Sequence, residues 1–229
     1  MPAIFITGGA SGIGLATAQL FASRGWRVGI ADVNEVALAA AAATLPAGSA
    51  RYVMDVRDRE AWVATLDDFT AGGGLDVLHN NAGIGTGGAI ATTSFDDLDR
   101  VVAINLVGVL NGAKIGHAYL ARTPGSCLLN TASASAIYGS AGLATYSATK
   151  FGVRALTEAL DGVASGSNRT IRETVTAAGM ELTPVEAVAE AAWAAVHGDA
   201  VHTYVGKTAR RMAFAARWMP GALRKRMRR

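Results

Sequence analysis

A glycine-rich turn near the N-terminus constrains the fold more than any other feature of the sequence. The turn reads Thr7-Gly8-Gly9-Ala10-Ser11-Gly12-Ile13-Gly14 and lies between an apolar segment typical of a strand (3–7) and a helical pattern (12–24). Glycines allow a tight turn, and the helix N-terminus offers unpaired N–H groups and a positive dipole end to an anion. We therefore predict a dinucleotide pyrophosphate site here, formed by Gly8, Ser11, Gly12, Ile13 and Gly14.

The rest of the chain alternates short apolar segments with helical ones, a pattern typical of a parallel sheet covered by helices on both faces. The predicted strands are 3–7, 27–32, 50–55, 75–79, 126–131 and 203–206, and the predicted helices are 12–24, 36–43, 60–69, 94–121, 144–160 and 184–197. We expect an α/β fold, with one doubly wound Rossmann-type domain and a mainly parallel sheet over residues 1–206. A basic amphipathic tail, 207–229, follows.

Composition supports a globular protein, because 51% of the 229 residues are hydrophobic and only 17% are charged. The charges are unevenly distributed: residues 207–229 hold nine cations and no acid, so the rest of the chain holds 12 cations and all 18 acids. This acidic body does not resemble a nucleic-acid-binding domain. We interpret the tail as a helix packed on the body or on another subunit, and contact with an anionic membrane surface is the less favoured alternative.

The location is expected to be the cytoplasm. The N-terminus has no basic leader, and no apolar run reaches the roughly 18 residues of a membrane span. The single cysteine, Cys127, can form neither an internal disulfide nor a zinc site alone, and no metal site is predicted.

The end of the second strand carries an acidic residue, Asp32, 18 residues after Gly14. This spacing suits a carboxylate that accepts hydrogen bonds from the adenosine ribose hydroxyls, and such a carboxylate would repel a 2′-phosphate. We therefore expect NAD, with NADP as the weaker alternative. Asp32 and Asn34 also precede a helix, so a local capping role is compatible with this one.

Two residues at the start of a later helix, Tyr146 and Lys150, are four positions apart and therefore share one face. An ammonium near a phenol stabilises the phenolate, which can then take a proton from an alcohol. Ser133 follows the fifth strand, where loops of a parallel sheet form the ligand crevice, and its hydroxyl can hold a substrate oxygen. The constellation indicates proton transfer coupled to hydride transfer.

Taken together, the glycine turn, Asn80-Asn81-Ala82-Gly83, Asn105, Ser133 and Tyr146-x-x-x-Lys150 resemble the classical short-chain dehydrogenase/reductase family over about residues 3–160. The resemblance implies an alcohol or carbonyl substrate, a homo-dimer or homo-tetramer joined through two long helices, and a set of site residues. Tyr146 would be the acid/base, Lys150 would also reach the nicotinamide ribose, and Ser133 would polarise the substrate carbonyl. Asn105 would hold a water that links Lys150 to solvent, although it also fits a polar residue that only distorts the helix.

The same resemblance implies further cofactor contacts. Asp55 and Val56, after the third strand, resemble the pair that meets the adenine ring. Asn81, Ala82 and Gly83 resemble the segment that lines the adenosine ribose and supports the sheet. His79 stands where an aliphatic residue is more usual, and we interpret it as structural.

The pattern fails after Leu160, where the family continues into a sixth strand. One alignment places this strand at residues 171–177, with Ala178-Gly179 as a degraded Pro-Gly turn and Thr183 near the cofactor. It puts Arg172 and Glu173 in a strand expected to be apolar. The favoured alignment has the strand missing near Gly162–Ser165 and a helix that starts at Pro184, capped by Thr183. The sixth strand is thus expected to be missing or degraded.

Two functions remain open. The first is an NAD-dependent oxidoreductase that interconverts a secondary alcohol and a ketone or aldehyde, with Tyr146 as the acid/base. The second is a non-catalytic NAD-binding sensor or scaffold, favoured only by the altered region after Gly162. The substrate cannot be named, because the segment that would select it is the irregular one.

Overall fold

A computed structural model describes residues 1–85, 87–161, 167–173, 183–198, 200 and 202–219 of the chain. Its strands are β1 (Ala3–Thr7), β2 (Arg27–Asp32), β3 (Ala50–Val53), β4 (Val77–Asn80), β5 (Cys127–Ser133), β6 (Ser167–Glu173) and β7 (His202–Thr203). Its α-helices are α1 (Gly12–Ser23), α2 (Glu35–Ala42), α3 (Arg59–Thr70), α4 (Phe95–Val102), α5 (Gly108–Leu120), α6 (Ala144–Asp161), α7 (Val185–Val196) and α8 (Gly206–Trp218).

The strands form one sheet in the order β3-β2-β1-β4-β5-β6-β7, and every pairing between neighbours is parallel. The direction in which strands are added reverses between β1 and β4. The strands β2 and β3 extend the sheet on one side of β1, and β4 to β7 extend it on the other side. Ligands of such sheets bind outside the carboxyl ends of the strands at this reversal. The predicted doubly wound parallel fold is confirmed.

Each face of the sheet is covered by a layer of helices, as the alternation of side chains along β1 requires. Ile4 and Ile6 point to one face, where they pack with residues of α1, α2 and α7. Phe5 points to the other face and packs with Trp62 of α3 and Leu120 of α5. The two apolar layers together fix the carboxyl ends of the strands, where the polar residues of the candidate site stand.

The predicted helix over 94–121 is a continuous helical segment with an irregular centre. Ser94 caps it and accepts a hydrogen bond from the Asp97 N–H. A π-helical turn, Ala103–Val107, joins α4 to α5. By length and composition this segment could cross a membrane, with a mean hydropathy of 1.3 over an 18-residue window of which 39% is buried. Its buried face packs on α3, α6 and β4, as a covering helix of the sheet does.

The favoured alignment after Leu160 is wrong, because the sixth strand is present. β6 pairs with β5 over seven residues, from Cys127 opposite Ser167 to Ser133 opposite Glu173, and also pairs with β7. The alternative alignment had the strand but began it four residues late. The strand was missed because its sequence is polar. Strands pair through backbone hydrogen bonds, which form with polar side chains as well as with apolar ones. Ala178-Gly179 and the gap expected near Gly162–Ser165 lie outside the described residues.

The chain after residue 183 differs slightly from the prediction. α7 starts at Val185 with Pro184 in the capping position and no side-chain cap, so the expected cap at Thr183 lies one residue too early. α8 then begins at Gly206, and its Ala209 and Met212 are buried. Met212 belongs to a small apolar cluster with Ala134 and Ile137, just after β5.

Candidate active site

Two adjoining cavities lie at the carboxyl ends of the strands. The longer cleft, about 500 Å³, is lined by ten of the predicted cofactor residues: Gly8, Ser11, Gly12, Ile13, Asp32, Asp55, Val56, Asn81, Ala82 and Gly83. The second cavity, about 290 Å³, is lined by Tyr146 and Lys150 together with Asn81, Gly83, Ile84, Gly85, Thr131 and Leu143. A larger groove, about 970 Å³, lies between α3 and α5 and contains none of the predicted site residues. The predicted site residues that line a cavity therefore all lie at the two smaller cavities.

The glycine turn is shaped by close backbone packing. Gly8 and Gly12 have positive φ angles of 63° and 52°, which favour glycine. Gly14 has no space for a side chain, because a methyl group there would collide with the Gly8 carbonyl oxygen. Ser11 caps α1 without a side-chain hydrogen bond, and the first turn of the helix contains no acid. The N–H groups of this turn are thus not neutralised by a carboxylate of their own helix.

Asp32 ends β2 and accepts hydrogen bonds from two backbone N–H groups, that of Asn34 at 3.0 Å and that of Ala10 at 3.3 Å. The second bond ties the carboxylate to the glycine turn. Asn34 is the residue that caps α2, through a bond from the Ala37 N–H. The capping role that the sequence left open therefore belongs to Asn34, and Asp32 faces the cleft.

Asp55 and Val56 line the same cleft as the glycine turn and Asp32. The Asp55 carboxylate accepts hydrogen bonds from the Arg57 guanidinium, at 2.6 Å to Nη2, and this pairing lowers the pKa of the carboxyl. The Val56 carbonyl accepts a hydrogen bond from the buried side-chain amide of Asn111, which holds the segment after β3 against α5. Sequence reasoning missed Arg57, although a cation two residues after the acid was a visible signal.

Two of the predicted proton-transfer residues, Tyr146 and Lys150, stand together on α6 and line one cavity, whereas Ser133, at the end of β5, lines neither of the two cavities. The Lys150 ammonium donates to the Thr131 carbonyl at 3.0 Å and lies 5.7 Å from the centre of the Tyr146 ring. Tyr146 is 9% exposed, Lys150 4% and Ser133 0%, so all three are largely withdrawn from solvent. The Ser133 hydroxyl accepts a bond from the Ser135 N–H, which orients it at the start of a short 3₁₀ turn.

Asn105 lies in the π-helical turn, as a helix-distorting residue would, and both ends of its amide are occupied. Its oxygen accepts a hydrogen bond from the Ile84 N–H at 2.8 Å, and its nitrogen donates to the Ile84 carbonyl at 2.7 Å. A methyl group at Gly83 would lie 3.3 Å from the Asn105 oxygen and 3.5 Å from the Lys150 ammonium. Asn105 therefore clamps the loop beside Lys150, while its relay through a water stays a prediction.

A buried network of polar side chains, missed by sequence reasoning, connects the strand ends. The Asn81 amide nitrogen donates to the carbonyls of Thr7 and Gly8, so its oxygen faces Thr131. The Thr131 hydroxyl donates to that oxygen and must then accept from the Nε2–H of His79, which lies 2.8 Å away. His79 therefore carries a proton on Nε2, and its burial, which lowers the pKa of the ring, keeps the side chain neutral at pH 7. The signal was the polar run Asn130–Ser133 in a strand otherwise apolar.

Burial gives His79 a measurable effect on stability. Its imidazole is fully buried, which lowers its pKa to about 3, so the unfolded chain binds a proton that the folded chain excludes as pH falls below about 6.5. The free energy of unfolding therefore decreases as the pH falls. We expect His79→Gln, which keeps an N–H donor but does not titrate, to remove about 2 kcal/mol of the loss between pH 7 and pH 5.

Urea unfolding at the two pH values measures this effect. Replacing the exposed His117 by Gln is the matched control and should leave the pH dependence of the wild type unchanged. An equal pH dependence in His79→Gln and the wild type would show that His79 is not the buried titrating group described.

Comparisons with known proteins identify a matching family model and similar sequences. The family model for short chain dehydrogenases matches residues 2–193. The meso-2,3-butanediol dehydrogenase of Serratia marcescens is 38% identical over 159 residues, which are 69% of this chain and 63% of that enzyme. A 3-oxoacyl-[acyl-carrier-protein] reductase of Thermotoga maritima is 34% identical over 184 residues, which are 79% of this chain and 74% of the relative.

A solved structure extends the likeness over nearly the whole chain. The apo form of LigD from Sphingobium sp. strain SYK-6 has a TM-score of 0.86 at 27% identity and covers 99% of this chain and 94% of its own. The matched part of the chain spans less than two thirds of the Serratia enzyme. With the family model matching well over half of its residues, the chain belongs to the short-chain dehydrogenase family.

Proposed function

We propose that this chain is an NAD(H)-dependent oxidoreductase that interconverts a secondary alcohol and a ketone or aldehyde, with Tyr146 as the general acid/base. The observation that carries the proposal is the placement of Tyr146 and Lys150, nearly buried and side by side, in a cavity that adjoins the glycine-turn cleft. Family membership supports the coarser assignment, a dehydrogenase or reductase.

The cleft fits a nicotinamide dinucleotide. Gly14 lets the turn close against the Gly8 carbonyl, where a methyl group would collide, and the first turn of α1 has N–H groups suited to a pyrophosphate. Asp32 would hold the adenosine ribose, while Asp55 and Val56 would line the adenine. Asn81, Ala82 and Gly83 continue the cleft towards Tyr146 and Lys150. Bound there, the nicotinamide ring supplies the acceptor or donor of hydride.

The residues of the chain supply the proton chemistry. In the direction of oxidation, the Tyr146 phenolate oxygen takes the hydroxyl proton of the alcohol while the carbon–hydrogen bond gives up its electron pair as hydride. The nearby Lys150 ammonium, held by the Thr131 carbonyl, stabilises the phenolate. The Ser133 hydroxyl holds the oxygen that becomes the carbonyl. Reduction runs through the same groups in reverse.

The alternative, a binding protein without turnover, loses its basis. It rested on the apparent absence of the sixth strand, and β6 is present between β5 and β7. The names of the relatives also favour turnover, since 2,3-butanediol is a secondary alcohol and a 3-oxoacyl group carries a ketone. The substrate class proposed here is the one that these two chemistries share.

Assembly into a dimer or tetramer is part of the proposal. Four large apolar side chains are exposed along the helices α4, α5 and α6: Phe95, Val102, Leu110 and Phe151. Exposed apolar residues of this kind fit a self-association surface.

Cys127 is buried in β5, and we propose the reducing cytoplasm as the location.

The role of Tyr146 is tested by Tyr146→Phe, which removes only the hydroxyl. We expect turnover to fall by at least about 100-fold, because proton transfer loses its acceptor, while the Kd for NADH changes by less than about twofold. Steady-state rates over a panel of secondary alcohols and a fluorescence titration with NADH measure the two quantities. Tyr52→Phe, in β3 and outside both cavities, should behave as the wild type. Full activity in Tyr146→Phe would refute the mechanism.

The cofactor cradle is tested by Gly14→Ala, whose methyl group would collide with a backbone carbonyl. We expect the Kd for NADH to rise by at least about tenfold, since the turn must open to accept the side chain. Gly116→Ala is the matched control: its methyl would strike the Leu78 side chain inside the protein, so it should lower Tm without changing NADH affinity. Unchanged affinity in Gly14→Ala would argue against a pyrophosphate at this turn.

Cofactor preference is tested by Asp32→Ser, which removes the carboxylate at the end of β2. Electrostatic repulsion of a 2′-phosphate should then disappear, and the ratio of NADPH to NADH affinity should rise by about tenfold or more. Glu35→Gln removes a neighbouring negative charge at the start of α2 and should leave the ratio unchanged. A wild-type protein that binds NADPH more tightly than NADH would contradict the assignment.

A further inference from the structure

The C-terminal helix α8 has a fixed orientation on the body. Its buried residues, Ala209 and Met212, lie on one side of the helix, and Met212 packs with Ala134 and Ile137. Because residues three and four apart share a helix face, the opposite side is formed by Lys207, Arg211, Phe214 and Trp218. This outward side, flanked by Arg210 and Arg217, is named the basic–aromatic face.

Aromatic side chains stand at the centre of the basic–aromatic face. Phe214 is 58% exposed and Trp218 is 65% exposed, and they are one turn apart. Lys207 and Arg211 share this face, and Arg210 and Arg217 lie along one edge of it, where the Arg217 guanidinium is 5.5 Å from the centre of the Trp218 ring. Met219, at the end of the helix, is also about half exposed. Exposing two large aromatic rings and a methionine to water is costly, so their position calls for a partner.

All the charged side chains at the C-terminal end of the chain are positive. Residues 207–229 contain nine Lys and Arg and no acidic residue, and five of these cations fall in the last six positions of the sequence. The rest of the chain carries an excess of acids. An excess of positive charge is therefore confined to the segment that also presents the exposed rings of Phe214 and Trp218.

We propose that α8 docks the protein on an anionic phospholipid surface through the basic–aromatic face. Each requirement of such a surface has a counterpart: Trp218 and Phe214 fit the boundary between headgroups and acyl chains, and the flanking Arg and Lys side chains reach the lipid phosphates. A protein groove could also pack the two rings, and a single-stranded nucleic acid could stack bases on them. A lipid surface is favoured because the rings and the cations share the outward face of one amphipathic helix, as in helices that lie in the membrane interface.

The docking surface is connected to the candidate active site. The inner side of α8 contacts Ala134, the residue directly after Ser133. A protein held by α8 therefore has the loop beside Ser133 close to the lipid headgroups. The inference does not depend on the proposed chemistry, because it concerns residues that line neither cavity.

Vesicle binding of the full chain tests the proposal. We expect vesicles with about 30% phosphatidylglycerol to bind at least about tenfold more tightly than phosphatidylcholine alone, and about 0.5 M salt to weaken this binding strongly. Lipids brominated on the acyl chain should quench part of the tryptophan fluorescence, and Trp218→Phe should abolish this quenching while Trp26, Trp62 and Trp193 remain.

Charge and apolar contributions are separated by double variants. Arg211→Glu with Arg217→Glu should lower anionic vesicle affinity by at least about tenfold, whereas Arg51→Glu with Lys114→Glu, an equal change of net charge elsewhere, should not. Phe214→Ser with Trp218→Ser should abolish insertion with NADH binding and far-UV circular dichroism unchanged. The proposal is overturned by equal binding to neutral vesicles, by no binding, by tighter binding of an RNA homopolymer, or by a loss of self-association in the aromatic variant, which would make a second copy the partner.

Discussion

The side-chain amide of Asn81 connects the parts of the molecule on which its chemistry depends. The amide nitrogen donates to Thr7 at the end of β1 and to Gly8 in the glycine turn, while the oxygen accepts from Thr131 of β5. The carbonyl of Thr131 in turn holds the Lys150 ammonium. One amide thus ties the glycine turn to Lys150 across the point where the sheet reverses. This connection explains why polar residues are retained in strands that are otherwise apolar.

A second chain of buried hydrogen bonds fixes the helix that carries Tyr146. The Asn80 side chain donates to that of Asn130 at 3.0 Å, and Asn130 donates to the Thr157 hydroxyl at 3.0 Å. Thr157 lies on α6, three turns beyond Tyr146, so the helix cannot slide along the sheet without breaking these bonds. Buried polar groups are costly when unpaired, and paired ones specify position. The network sets the height of Tyr146 above the strand ends.

Local signals in the sequence were sufficient for much of the fold and site. The glycine turn, the spacing to Asp32, and the pair Tyr146 and Lys150 are each short-range patterns, and the structure brings their residues to two adjoining cavities. The features that were not predicted depend on contacts between residues that are far apart in the sequence. β6 was missed because its polar residues hide a strand that pairs through the backbone, and the role of Thr131 depends on Asn81, 50 residues away.

The chain belongs to the short-chain dehydrogenase family, and the central proposal is hydride exchange with a substrate carbonyl over Tyr146. Isotope transfer tests it most directly. The protein is incubated with a ketone of the proposed class and NADH carrying deuterium on both C4 positions, and the alcohol product is analysed by mass spectrometry. We expect one deuterium on the carbinol carbon of every product molecule. An unlabelled alcohol, or NADH binding without product across the ketone panel, would contradict the proposal.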